Sequence, residues 1–145
     1  MKGFKKFFKE DEDVQKTLAK IPKAHKNLVK GFKFLFEPHN TLQGDDGHVG
    51  MITNQGSKRI IVASPWRFGR EFTLLHEIAH LIWNSLVVAS KKEEWKNILK
   101  KHKDLSNEKN QEESFCMAYA NYYSQRPLAI YNITSWMSFI KKLSQ

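Results

Sequence analysis

Arg70-Glu71-Phe72-Thr73-Leu74-Leu75-His76-Glu77-Ile78-Ala79-His80 is the stretch on which the reading of this chain turns. From about Arg70 to Ala89 the residues are apolar on nearly all sides, which predicts a long helix central to the core. Within it His76 and His80 stand four apart, so they share one helical face about one ~5.4 Å turn from each other. Both imidazoles can then aim a nitrogen at one metal ion. Glu77, one step round from His76, falls beside that ion, where a carboxylate can take a proton from an activated water. Left unpaired, these groups would be costly to bury. A metal ion makes the burial intelligible, because its charge offsets the carboxylate and each imidazole spends a lone pair on it.

A catalytic zinc centre usually has three protein ligands and one open position, so a third ligand is expected elsewhere in the chain. Cys116 is the only cysteine, and positions 83 and 86 are Trp and Leu, which excludes a third histidine at the HExxHxxGxxH spacing. A carboxylate is favoured. Glu112 and Glu113 open a helix expected over roughly 111–125, whose remaining residues Phe115, Cys116, Met117, Ala118, Tyr119 and Tyr122 are apolar or aromatic. One of the two glutamates should face inward, and the residues alone leave open which. Cys116, on an apolar face, is expected to be core packing.

The run from Arg70 to His80 is similar to the RFTLAHEIGH signature of the ImmA/IrrE family of zinc metallopeptidases. Glu113-Ser114-Phe115-Cys116-Met117-Ala118, followed by Pro127, resembles the EAxxFA stretch before a proline that supplies that family's third zinc ligand. The resemblance places that ligand at Glu113 and covers roughly residues 20–127. Ala79, Ser114 and Met117 depart from the family's Gly, Ala and Phe without touching a ligand. A more distant likeness is to the lethal-factor-like zinc endopeptidases, which share HExxH and a downstream glutamate; their tyrosine seven residues before that glutamate is Ser106 here.

These resemblances imply a gluzincin-like zinc metalloendopeptidase. His76, His80 and Glu113 would bind Zn2+, with Glu77 as general base and a protein or peptide as substrate. A donor to the developing oxyanion could come from His102, Tyr119, Tyr122 or Tyr123, which the sequence does not rank. The strand expected over residues 58–63, if a sheet edge, could receive substrate as an added strand.

Length and composition suit one domain spanning residues 1–145: 41% of the residues are hydrophobic and 12% aromatic, too much apolar surface to leave in water. One cysteine excludes an intrachain disulfide. No signal peptide and no transmembrane run are read, so a cytoplasmic location is expected. A net charge of +9 permits nucleic acid as a partner. The alternative function is accordingly a catalytically weak, metal-stabilised binding module for DNA or an acidic protein. No nucleic-acid signature accompanies the scattered lysines, so the peptidase is preferred.

The expected class is α+β: a small zincin-like domain with a short antiparallel or mixed sheet on the HExxH helix and further C-terminal helices. Helical sequence over residues 13–30 is broken at Pro22 and ended by Gly31, and Phe32, Phe34 and Phe36 then alternate as a strand. Residues 48–53 and 58–63 continue an antiparallel meander. Ser90-Lys91-Lys92-Glu93 has the form of a capping box for a helix with Trp95, Ile98, Leu99 and His102 inside. A last amphipathic helix is expected over residues 135–143. The Phe4, Phe7 and Phe8 segment is expected to pack on the domain, and His48 with Asp45 and Asp46 to be turn residues.

Overall fold

Pro22 and Gly31 punctuate the first segment. The computed structural model describes residue 12 and residues 14–38, 50–52, 59–64, 70–101, 108–124 and 133–143. Residues 14–18 are helical (α1). Pro22, extended at φ −60° and ψ 152°, precedes α2 (Lys23–Leu28), a place that suits a residue with no N–H to satisfy. Gly31 has φ 87°, where an L side chain would be strained, and turns the chain into β1 (Lys33–Pro38).

Three short strands pair in the order β1-β3-β2, with β2 at Gly50–Ile52 and β3 at Arg59–Ser64. β2 is antiparallel to β3, Met51 facing Ile61, whereas β1 is parallel to β3, Phe34 beside Ile60. The expected meander is therefore corrected, because β3 lies between its two neighbours. Its run Ile60-Ile61-Val62-Ala63 is nearly continuous in apolar residues, the pattern of a strand covered on both faces. The same position removes β3 as an open edge for an added substrate strand.

The α+β class is overturned as well. Of the residues whose side chains are described, 79% are helical, so the body is an assembly of helices and the fold is mostly α. The reason lies in what fills the core. Among the described side chains, the largest that are fully buried, including Trp95, Trp136, Tyr119, Phe115 and Leu74, all stand on helices. Phe34 is only partly buried against them. Alternating phenylalanines thus mark a short ladder beside the body, not one of its principal layers.

α3 (Arg70–Ser85) runs through the centre, with Leu74, Leu75, Ile78, Ala79 and Ile82 all buried. Lys20 Nζ binds Glu71 Oε2 at 2.6 Å and ties the start of α3 to the residues after α1. α3 stops short of the expected Ala89: Leu86 N–H makes the last regular bond, to the Ile82 carbonyl at 2.8 Å, and Val87 N–H goes to the same carbonyl at 3.1 Å, five residues back, which breaks the helical pattern. α4 (Ala89–Leu99) follows after an N-cap at Val88 that has no side-chain cap bond. The capping box expected from Ser90 is not formed: the helix begins before Ser90, and the Val88 carbonyl accepts from Lys91 and Lys92, each at 2.9 Å.

α5 (Glu108–Tyr123) packs along α3, and α6 (Thr134–Leu143) closes on α4 and α5. Trp95 joins these last three helices. Its ring centroid lies 6.0 Å from Phe115, 5.4 Å from Trp136 and 5.0 Å from Phe139. Its Nε1–H donates to Gln111 O at 3.0 Å and to Ser114 Oγ at 3.2 Å. A fully buried indole therefore grips the turn of α5 that flanks Glu112 and Glu113. Among the described residues no helix is long and apolar enough to cross a membrane.

Candidate metal centre

Among the described residues, two helices supply the charged side chains of the centre. α3 presents His76 and His80 from successive turns, their ring centroids 5.1 Å apart and nearly perpendicular. α5 brings Glu113 against both: His76 Nε2 lies 3.2 Å from Oε2 and His80 Nε2 lies 3.2 Å from Oε1. One ligand atom from each of the three residues falls within 4.8 Å of the others. Glu77 is buried beside them, its Oε2 4.0 Å from His76 Nε2. The imidazoles are largely covered, at 14% and 19% side-chain exposure, whereas Glu113 keeps 56%, so the cluster opens to solvent on its carboxylate side.

The adjacent glutamate does something different. Glu112 Oε2 meets the other ring nitrogen, His80 Nδ1, at 2.5 Å. Asn84 Nδ2 donates to the same oxygen at 3.4 Å and to the carbonyl of His80 at 2.8 Å. The structure thus separates two residues that local pattern left equivalent: Glu113 joins the Nε2 cluster and Glu112 stands behind it. His76 Nδ1, by contrast, is buried without a hydrogen-bond partner among the described residues.

The electrostatics call for positive charge. Burial disfavours the His80 imidazolium, yet hydrogen bonds to Glu113 and Glu112 and the charge of Glu77 outweigh it, and its pKa is pushed up to about 9. Hydrogen bonds from His76 and then from His80 hold the Glu113 carboxyl well below the usual carboxylate range, with burial acting against them. A neutral His80 that donates Nδ1–H to Glu112 would turn an Nε2 lone pair toward the Glu113 carboxylate. Acceptor facing acceptor is unfavourable unless a cation lies between.

The donor set fits zinc. Bonds of ~2.0–2.2 Å in a tetrahedral site place ligand atoms ~3.3–3.6 Å apart; the two nitrogen–oxygen contacts, each 3.2 Å and made to different Glu113 oxygens, are close to this, within a set whose three ligand atoms lie within 4.8 Å of one another. Two imidazoles and one carboxylate, with an exposed side for a water, match the composition of a catalytic zinc site more closely than that of a closed structural one.

Other candidates fall elsewhere. Tyr119 is fully buried and its hydroxyl lies 2.8 Å from His25 Nδ1, away from the cluster. Tyr122 and Tyr123 stand nine and ten residues beyond Glu113 on α5, roughly 13–15 Å along the helix axis. The Tyr119 hydroxyl is thus engaged by His25, Tyr122 and Tyr123 stand well along α5 from Glu113, and His102 lies outside the described residues. Cys116 is fully buried in the core, where burial, and then the charge of Glu113, push its thiol pKa up. Ser106, Pro127, His48 with Asp45 and Asp46, and the Phe4, Phe7 and Phe8 segment also lie outside the described residues.

Sequence reasoning missed two contributors. Asn84 follows His80 by four residues, a spacing that would have marked it as a partner on the same face. Ser114 reads in the sequence only as a packing change, whereas its hydroxyl accepts from Trp95 while donating to Gln111 O at 3.0 Å. No family model matches the chain, and neither a curated protein nor a solved structure matches it.

Proposed function

We propose that the chain is a zinc-dependent metallopeptidase of the ImmA/IrrE type, acting in the cytoplasm on a narrow protein substrate. The observation that carries this reading is the convergence of His76, His80 and Glu113, one ligand atom from each within 4.8 Å of the others, with Glu77 buried alongside. Zinc bound there would supply Lewis acidity, polarising a peptide carbonyl and lowering the pKa of water toward ~7.

The chain's own residues do the rest. His76, His80 and Glu113 hold the ion, and Glu113 does so from the open side. Glu77 accepts a proton from the attacking water and passes it to the leaving amine nitrogen as the C–N bond breaks. Its burial suits that task, since a shielded carboxylate exchanges protons with the bound reactants in preference to bulk water. The buried aliphatic neighbours Leu74, Ile78 and Leu81 on α3 keep the helix from shifting under the cluster.

The test is zinc content by elemental analysis together with proteolysis of candidate protein substrates, for wild type, Glu77→Gln and His80→Ala. About one zinc per chain in wild type and Glu77→Gln, turnover in wild type alone, and neither zinc nor turnover in His80→Ala are expected. A general base contributes ~100- to 10,000-fold, so the Glu77→Gln loss should be of that order. Wild-type protein that takes up no zinc, even after reconstitution, would sink the reading.

A further inference from the structure

Resting on the zinc reading above, we propose that Glu112 is a positioning residue. In this role it fixes the tautomer and ring plane of His80 from behind, while Asn84 holds the carboxylate in place. An ionised carboxylate can only accept, so the contact of Glu112 Oε2 with His80 Nδ1 at 2.5 Å makes Nδ1 the proton-bearing nitrogen. A metal ion would then take the place of the Nε2 proton alone, on the side where Glu113 Oε1 stands 3.2 Å away, while Nδ1–H stays on Glu112.

Neighbouring residues on a helix project about 100° apart, and this divides the two glutamates between the back and the front of one imidazole. Asn84 completes the arrangement, since its Nδ2 reaches both Glu112 Oε2 at 3.4 Å and the His80 carbonyl at 2.8 Å. The carboxylate is thus tied to the same helical turn whose ring it orients. His76 has no such support, because its Nδ1 meets no partner among the described residues. Among the described residues the centre is thus asymmetric: one histidine is backed by an outer carboxylate and the other is not.

The consequence is a separation of affinity from stoichiometry. Outer carboxylates of this kind typically govern metal affinity by ~10- to 100-fold without being ligands. Zinc affinity is measured by competition with a chromophoric chelator, and the cobalt(II) absorption spectrum is recorded on the same proteins: wild type, Glu112→Ala, Glu112→Gln and Asn84→Ala. Circular dichroism confirms that each retains its helices; Glu112 and Asn84 are not core residues.

Glu112→Ala should still bind one zinc at saturation but ~10- to 100-fold more weakly, with shifted cobalt bands. Glu112→Gln, whose amide oxygen can still accept from Nδ1–H, should recover part of the affinity, and Asn84→Ala should lose less than Glu112→Ala. Equal affinity and unshifted bands in Glu112→Ala would overturn the proposal while leaving the zinc site standing. Complete loss of zinc in Glu112→Ala would also overturn it, by making Glu112 a ligand. Wild type that binds neither metal overturns the zinc reading itself, and the positioning role with it.

Discussion

The two ends of α5 each meet a histidine, and the two meetings are opposite in character. At the first, Glu112 and Glu113 face His80, and its pKa rises to about 9 although burial works the other way. At the second, the Tyr119 hydroxyl lies 2.8 Å from His25 Nδ1, and the His25 ring is also bonded to the backbone of Leu143. Burial lowers the His25 pKa, the Leu143 bond only partly opposing it. The Tyr119 phenol is pushed well above its usual range, by burial first and then by Tyr123. Burial thus acts alike on both histidines, and the charge of the partner decides the outcome. Among neutral partners the imidazole is a strut joining α2, α5 and α6; among carboxylates it is a seat for a cation.

The sharpest way to break this contrast is to remove the charge at one end. Glu113→Ala should bind less than a tenth of the zinc bound by wild type in elemental analysis, while circular dichroism shows the helices intact. Added zinc should raise the melting temperature of wild type and leave that of the variant unmoved, because only binding to the folded state stabilises it. A variant that still holds one tight zinc per chain would mean that the Nε2 cluster has been misread.

At the other end Tyr119→Phe tests the strut. Losing the hydroxyl leaves buried His25 Nδ1 unpaired, which costs about 1–3 kcal/mol, measured by urea unfolding of the metal-free protein. Zinc affinity should be unchanged, and a parallel fall in affinity would show that the two ends are coupled.

The smallest effect is one of pH. His25 has a folded pKa below the ordinary 6.5, so on acidification the unfolded chain takes up a proton that the folded chain resists. The stabilisation tied to neutral His25 is therefore complete above pH 6.5 and lost as pH falls below it. The stability of wild type minus that of His25→Gln should decline over this acid range and be flat above it. A difference that stayed level on acidification would contradict the neutral strut.

What could be read from sequence followed the range of the forces involved. His76, Glu77 and His80 lie within one helical turn and a half, so spacing alone puts them together. Glu112 and Glu113 could not be told apart that way, because their roles depend on how α5 is rotated against α3. Trp95 sets that rotation by gripping Gln111 O and Ser114 Oγ, from sixteen and nineteen residues away in the chain. The place of β3 between β1 and β2 was likewise hidden, since alternation within a strand says nothing about its neighbours. The α+β expectation gave too much weight to Phe32, Phe34 and Phe36, and too little to the helical indoles and phenyl rings around Trp95. His25 carried no local signal at all, because its partner Tyr119 is 94 residues away.

The uneven exposure of the cluster bears on how fast it can be filled. His76 and His80 are nearly enclosed, while Glu113 keeps 56% of its side chain open. On the proposed zinc reading, an arriving ion would need only one carboxylate to swing aside, a side-chain motion of picoseconds to nanoseconds, without α3 and α5 parting. Loading and stripping would then run independently of unfolding, and occupancy would follow the free zinc around the protein instead of being settled once, at the moment it folds.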